Sequence, residues 1–447
     1  MLRDNSISEH QSHMQQLVDD LLSEAKKQGA SSAEAVISSD AGLSATVRMG
    51  DVETIEHTRD NALGISVYFG QCKGSASTSD LSPQAIIDTV KAACSIAKYT
   101  SEDECAGLAD ADLMAKEIPD LDLYHPWSIE VDQAIDLGRR CEAAALDYAP
   151  EINNSEGATL NSHSGLRVYG NSHGFIGGYP SSRHSISCSV LGQDDKGMQR
   201  DYWYSSGRSA DDLENVEAVG QKAGERTLAR LGARKISTRE APVIFQADVA
   251  VSLLRSLVGA ISGSALYRRS SFLLDHLDKQ IFPEFVHIHE NPLLRRGLSS
   301  APFDSEGVAT KPRDIVSKGT LQDYVLSSYS ARKLGMQTTG NAGGVRNLTI
   351  EQGELDLAGL LKEMEQGLLI TELMGQGVNT VTGDYSRGAA GFWVENGIIQ
   401  YPVEEITVAG NLKQMYTQLL AVGNDIDPRT SVRTGSWLIE SMTIAGE

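Results

Sequence analysis

"PVIFQADVAVSLLRSLVGAISGSALYRRSS", residues 242–271, changes character twice. Val243 to Phe245 is an apolar run of strand type. From Ala247 onward apolar residues recur at three- and four-residue spacing, as on one face of a helix. After Ala260 small residues take over, and the stretch ends on Arg268 and Arg269. A strand feeding straight into an apolar helix reads as the opening of a new folding unit. Just upstream, "GARKISTREAP" (232–242) has the composition of a linker. The boundary therefore falls near Thr238, and the chain divides into residues 1–238 and 239–447.

Downstream of Arg269 the pattern is mostly β. "DIVSKGTLQDYVLSS" reads as a hairpin about Lys318-Gly319, and "AGFWVENGIIQYPV" as one about Asn396-Gly397, a pair suited to a type I′ turn. One helix, "DLAGLLKEMEQGLLI" (356–370), interrupts. Glycine clusters at 338–344 and 372–391 read as loops that need unusual backbone angles or close approach to a ligand. Upstream, residues 9–28 form an amphipathic helix by spacing, followed by five short strands broken at Gly and Asp. A second helix begins at Pro83 with Ser82 as its cap. Residues 101–126 are polar and acidic and read as a surface connection, and residues 128–148 as a helix. Strands follow from 152 to 207, with "NSHSG" and "NSHG" as turns, then a helix over 210–231. The spacing predicts an α+β protein of two domains.

Composition narrows the function classes. The 447 residues carry a formal net charge of −21, which repels phosphate backbones and anionic lipid heads. Nucleic acid and membrane are not expected as direct partners. No apolar stretch is long enough to span a bilayer, and the first residues lack the apolar segment of a secretory signal. Five scattered cysteines without a CxxC pair fit reduced thiols, so a cytoplasmic setting is expected.

Several residues invite a chemical reading. His163, His173 and His184 could meet across adjacent strands as metal ligands, although two lie in turn-like sequence. His287 and His289 alternate as on one strand face, with Glu290 beside them, but no third ligand follows at zincin spacing. Asp304, Glu306 and Gly307 in "FDSEG" could bind a cation or make an ordinary acidic turn. No GxSxG, phosphate loop or GxGxxG at a strand–helix junction occurs.

Five long phrases carry a resemblance. They are "RMGDVETIEHTRDNALGISVYFGQCKGSASTSDLSPQAI" (48–86), "APFDSEGV" (301–308), "YSARKLGMQTTGNAGG" (329–344), "ELMGQGVNTVTGDYSRGAAGFWVENG" (372–397) and "AGNLKQMYTQLLAVGND" (409–425). Together, and in this order, they resemble the TldD/PmbA proteins over essentially the whole chain, most closely the PmbA (TldE) branch. The resemblance implies an α/β N-terminal domain and a β-rich, mainly antiparallel C-terminal domain. It implies a cytosolic heterodimeric metallopeptidase, formed with a TldD-type paralogue, that processes or degrades peptides. Its members are also described as modulators of DNA gyrase.

The TldD-like branch carries HExxxH, with two His ligands and a Glu general base, and a later Cys completes the site. Laid on this sequence, the first His position holds Arg255, the Glu position Ser256, the second His position Ala260, and the Cys position Thr434. A guanidinium at Arg255 would oppose a divalent ion. The resemblance therefore implies a chain that holds no metal itself, with zinc or a similar divalent ion in the TldD-type partner. Two other readings stay open: an independent peptidase using His287, His289, Glu290 or Asp304, and a non-enzymatic regulator that binds another protein. A homodimer of the isolated chain also stays open. For the first reading the expected peptide-cleft walls are Asn341, Gly343, Gly344, Gly375, Gly377, Asp384 and Arg387, unless these glycines only make tight turns.

Overall fold

The computed structural model describes residues 4–446. In the N-terminal half, α1 (Asp4–Lys27) precedes β1 (Ser32–Arg48), β2 (Asp51–Phe69), β3 (Cys72–Thr78) and α2 (Pro83–Tyr99). Next come α3 (Val131–Leu146), β4 (Ile152–Asn171), β5 (Ile176–Gln193), β6 (Met198–Gly207) and α4 (Val216–Ala229). The six strands form one antiparallel sheet in the order β3-β2-β1-β4-β5-β6. Two helical layers cover parts of one face. Met14, Val18 and Leu21 of α1 and Val90 and Ala93 of α2 pack on Ala35, Ile37 and Val67. Near the other end, Cys141 and Ala145 of α3 and Val219 and Ala223 of α4 pack on Ala158 and Ile186.

The five short strands expected over 33–79 are three, two of them long. β1 runs unbroken through Asp40-Ala41-Gly42 because β2 and β4 hydrogen-bond to it on both sides. Ladder bonds outweigh the local turn preference of Asp and Gly. "NSHSG" likewise lies inside β4, whereas "NSHG" is a true turn between β4 and β5. The helix expected over 210–231 starts later, at Val216, where the Asn215 side chain accepts from Ala218 N.

The C-terminal half contains β7 (Arg239–Phe245), α5 (Ala247–Ala260), α6 (Gly263–Tyr267), β8 (Ile288–Glu290), β9 (Arg313–Ser317), β10 (Thr320–Leu321) and α7 (Ser328–Lys333). It continues with β11 (Leu348–Ile350), α8 (Leu357–Met364), β12 (Gly367–Met374), β13 (Asp384–Glu395), β14 (Ile398–Asn411), α9 (Leu412–Thr417), β15 (Leu419–Val422), β16 (Val432–Arg433) and β17 (Trp437–Ala445). A six-stranded sheet, β14-β13-β12-β7-β17-β15, has α5 on one face and α8 on the other. A five-stranded sheet, β10-β9-β8-β11-β16, shares the α5 core. Among the named strands of the described residues, only β7–β12 and β11–β16 pair in parallel. The fold is α+β, with a helix-layered N-terminal sheet and a mainly antiparallel, β-rich C-terminal part.

Both hairpins form, with Lys318, Gly319, Asn396 and Gly397 all at positive φ; Asn396-Gly397 favours these angles, whereas Lys318 is held there by the pairing of β9 with β10. The predicted helix over 356–370 is shorter. It stops at Met364, where Glu365 turns to φ 57°, and "GLLI" becomes the start of β12.

Residues 101–126 are not a surface connection. They form a strap between the two halves, with Cys105, Leu108, Ala109, Met114, Leu121 and Leu123 buried. Ala115 N donates to Gly307 O, Ala309 N to Leu113 O and Arg296 N to Leu121 O. Arg332 donates to the carbonyls of Cys105, Gly107 and Leu108. Its polar sequence is explained by this seam, which is built on backbone hydrogen bonds more than on side-chain burial.

Candidate functional site

α5 presents two contrasting faces. Val251, Leu253, Leu254 and Leu257 point into the core, while Ser252, Arg255, Ser256 and Gly259 lie on the less buried side. Arg255 is exposed. The Ser256 hydroxyl is bonded to its own helix, donating to Ser252 O at 2.9 Å. Ala260 is wholly buried and belongs to the core around α5. Positions 255 and 260 are five residues apart, about 140° around a regular helix, so they face different environments. Thr434 is also wholly buried. Its hydroxyl accepts from Trp437 Nε1 at 2.6 Å and donates to Gly435 O at 2.8 Å.

The four motif positions thus hold an exposed cation, a helix-bound hydroxyl, a methyl in the core and a hydroxyl committed to its neighbours. That donor set does not fit a divalent metal. Among the described residues, no group of three or more His, Cys, Asp or Glu side chains is placed to hold a metal ion.

His173, His184 and His289 each have a polar partner of their own. His184 is buried, with Nδ1 3.0 Å from Ser162 Oγ, Nε2 2.9 Å from His125 O, and its ring edge-on to Trp127. Burial lowers its pKa, which favours the neutral ring. His173 contacts Ala109 O, and His163 lies in β4 opposite Gly42. His289 pairs with Asp314 at 2.8 Å on the exposed side of β8. Glu290 points the opposite way and is buried, accepting from Arg313 Nε, Arg346 N and the Asn341 amide. The alternation of the pair is as expected, but it carries Glu290 away from both imidazoles.

"FDSEG" forms a closed turn. Asp304 Oδ1 accepts from Glu306 N and Val308 N, and Oδ2 from Ala342 N. Burial pushes its carboxyl up to about 6, against the pull of those amide bonds and with a further push from Glu306. Glu306 in turn accepts from Ser328 N. The motif ties 301–308 to the loop at 338–344, and its carboxylate oxygens are taken up by backbone amides.

The seven residues proposed for the cleft fall in two regions: Asn341, Gly343 and Gly344 in the loop before β11, and Gly375, Gly377, Asp384 and Arg387 in the β12–β13 loop and the start of β13. Asn341 is turned inward, 5% exposed, with its amide on Glu290 and Gly344 O. Gly343 and Gly344 both have φ near +100°, which an L-residue adopts only under strain. Gly375 has φ 74°, and at Gly377 a Cβ would lie 1.6 Å from Ser386 O. Asp384 is exposed and holds the hairpin tip through Thr382 and Asn411. Arg387 is half-buried on β13, two residues from Tyr385 and therefore on the same face.

Arg387 and Ser252 lie close enough to the buried Tyr385 hydroxyl to offset part of the burial that pushes it up to about 12. Tyr385 Oη, Arg387 Nε and Ser252 Oγ are nevertheless buried without a partner in hydrogen-bond geometry. Of these three, the sequence analysis names Arg387; Ser252 and Tyr385 join it only in the structure. The strand alternation at 385 and 387 was the available signal.

A trough of about 920 Å³ lies elsewhere, on the helical face of the N-terminal sheet, and none of the seven residues borders it. Among the described residues, no helix is long and apolar enough to cross a membrane.

Comparison with known proteins is consistent along the chain. Residues 33–97, 124–231 and 238–446 match, in order, domain 1, the central domain and the C-terminal domain of the PmbA/TldA metallopeptidases. The chain is 54% identical over 415 residues to "Metalloprotease PmbA" of Escherichia coli O157:H7, covering 93% of this chain and 92% of that one. It is 53% identical over 423 residues to a PmbA homolog of Haemophilus influenzae, covering 94% of each. A crystal structure from Bacteroides thetaiotaomicron, described as a candidate modulator of DNA gyrase, superposes with a TM-score of 0.92 at 30% identity over all of both chains. TldE from Thermococcus kodakarensis shares the fold, with a TM-score of 0.84 at 19% identity, over 96% of this chain and 100% of that one. With all three domains matched in sequence order, and relatives above half identity over nearly full length, the chain belongs to the PmbA/TldD metallopeptidase family.

Proposed function

We propose that this chain is the TldE-type subunit of a cytoplasmic, two-chain metallopeptidase that processes or degrades peptides. Its TldD-type partner would hold the zinc or similar divalent ion, and this chain would supply interface, cleft walls and stability. The observation that carries the reading is the state of the motif positions. Arg255 is cationic and exposed, and Ala260 and Thr434 are closed into the core. No imidazole, thiolate or carboxylate remains at any of the four positions. The Gly-rich hairpin at 374–384, next to Tyr385 and Arg387, remains the proposed contribution to a peptide cleft.

The reading is tested by copurifying the chain with its native partner and measuring metal in each separated subunit. Metal is expected with the partner alone, and peptide hydrolysis only with both chains. Stoichiometric tightly bound metal in the isolated chain, or hydrolysis by it alone that disappears in His289→Ala, would replace this reading with an independent peptidase. Capture of a topoisomerase in place of a TldD-type chain would favour the regulator reading, for which the −21 charge is the supporting observation.

A further inference from the structure

The N-terminal sheet has one long free edge. β2 pairs with β1 along its whole length, but β3 covers its outer side only from Leu63 to Phe69. All residues over 51–62 are exposed, on both faces of the strand. That is about 40 Å of strand with one side unpaired. Natural edges of this length are usually blunted by proline, lysine, a bulge or a covering element. Residues 51–62 contain no proline and no lysine; one bulge lies at Glu53, between the pairs Val47–Val52 and Thr46–Thr54, and residues 54–62 run in regular register.

The helical layer is open beside this same edge. The trough of about 920 Å³ lies between α1 and the start of α3. Ser39, Ala41 and Leu43 of β1 and His57, Arg59 and Asn61 of β2 line it. Register and alternation put these six on one face, so the trough opens towards the unpaired strand.

The charge of the edge selects its occupant. Asp51, Glu53, Glu56 and Asp60 stand against Arg59 alone, although Arg48 pairs with Glu53 at 3.5 Å. Asp60 lies directly opposite Asp40 on β1. The Asp40 carboxyl is held above its ordinary range, by burial first and by Asp60 next. Like charges facing each other across strands are costly, and a neighbouring cation relieves them. A second copy of this chain would bring the same carboxylates to the shared edge. A permanent interface would also be more apolar, and only Val52 and Ile55 are large exposed hydrophobics here.

We propose that residues 51–62 of β2 are a docking site for an extended, basic peptide, which adds to the N-terminal sheet as a further strand and lays alternate side chains over the trough. Main-chain bonds make such recognition tolerant of sequence, while the carboxylates set the preference for lysine and arginine. The choice of a peptide rests on the peptidase reading above, but the test concerns binding to this chain alone, so its failure leaves the metal and copurification result untouched.

The probe is a twelve-residue peptide alternating threonine and lysine, added to the full chain. Its controls are the threonine–glutamate counterpart and the lysine peptide N-methylated at every second residue. Calorimetry is expected to show the lysine peptide binding roughly tenfold or more tighter than either control. Hydrogen exchange at 51–62 is expected to slow on binding. The exposed double variant Glu53→Lys/Glu56→Lys is expected to weaken the lysine peptide by a similar factor while its thermal unfolding stays unchanged. Equal affinity for the N-methylated peptide, protection confined to other segments, or no binding would overturn the proposal. So would protection of 51–62 without peptide that tracks a dimer in sedimentation, since that would assign the edge to a second copy.

Discussion

The Arg429 guanidinium lies 3.5 Å from the centroid of the Trp203 ring and 4.4 Å from that of Tyr204. Its Nε and Nη2 reach the two oxygens of Asp427, both at 2.8 Å, and Nη1 reaches Tyr204 O. One buried arginine therefore joins the last strand of the N-terminal sheet to the C-terminal half. Arg208 does the same nearby, donating to Gly297 O and Leu298 O.

Arg429→Ala leaves the buried Asp427 without its counter-charge, with only the residue-429 amide still donating to it, so it is expected to cost about 3–5 kcal/mol in urea unfolding. Removing both charges, in Asp427→Asn/Arg429→Met, is expected to cost less than Arg429→Ala alone. Equal losses would mean that the stacking on Trp203, and not the ion pair, supplies the effect.

Asp304 gives the protein a pH dependence of known sign. Its carboxyl is raised from 3.8 to about 6 in the fold, because burial penalises the charged form. The neutral form is therefore favoured by folding. Its contribution is fully present below about pH 4 and is lost as pH rises through about 6, a change on the order of 3 kcal/mol. Asp304→Asn does not titrate, and it also loses one amide partner at every pH. Unfolding free energies at pH 4, 5, 6 and 7 are expected to converge towards the variant as pH rises. Parallel curves would show that Asp304 does not titrate in this window.

Two glycines close in sequence to the proposed cleft and to the degenerate motif predict opposite outcomes. At Gly391 a Cβ would lie 1.9 Å from Leu369 O, a backbone atom in the adjacent strand. Gly391→Ala is expected to prevent the C-terminal sheet from forming, read as loss of soluble folded protein by circular dichroism. At Gly259, inside α5, a Cβ meets nothing within 4 Å. Gly259→Ala is expected to stabilise by about 0.5–1 kcal/mol through helix propensity alone.

Restoring the three familial side chains of the α5 motif should not create a metal site. In Arg255→His/Ser256→Glu/Ala260→His, the last imidazole is aimed into a close-packed core. The variant is expected to be destabilised by about 1–3 kcal/mol or more, with no zinc-dependent rise in Tm. A zinc-dependent rise would show that α5 can turn its end outward.

The sequence by itself determined what depends on neighbouring residues. Asn396-Gly397 specifies a tight hairpin because both residues readily adopt positive φ, and Gly319 marks the turn of the other. Ser82 caps the helix that Pro83 begins, and the apolar spacing from Val251 to Leu257 puts one face of α5 in the core. The family resemblance likewise implies that Arg255, Ser256, Ala260 and Thr434 stand where the TldD-like branch carries its metal-motif side chains. Tertiary structure decided what depends on distant partners. Asp40 and Gly42 stay in a strand only because β2 and β4 hold it from both sides, and Cys105, Leu108, Ala109, Met114, Leu121 and Leu123 of the 101–126 strap are buried because the C-terminal half meets it with backbone groups and Arg332. Asn341 turns inward to Glu290, and Ser252, Tyr385 and Arg387 meet through a helix and a strand more than a hundred residues apart. The free edge over 51–62 is likewise a product of topology. A strand's sequence specifies which residues alternate, but the length and position of its neighbours decide where pairing stops.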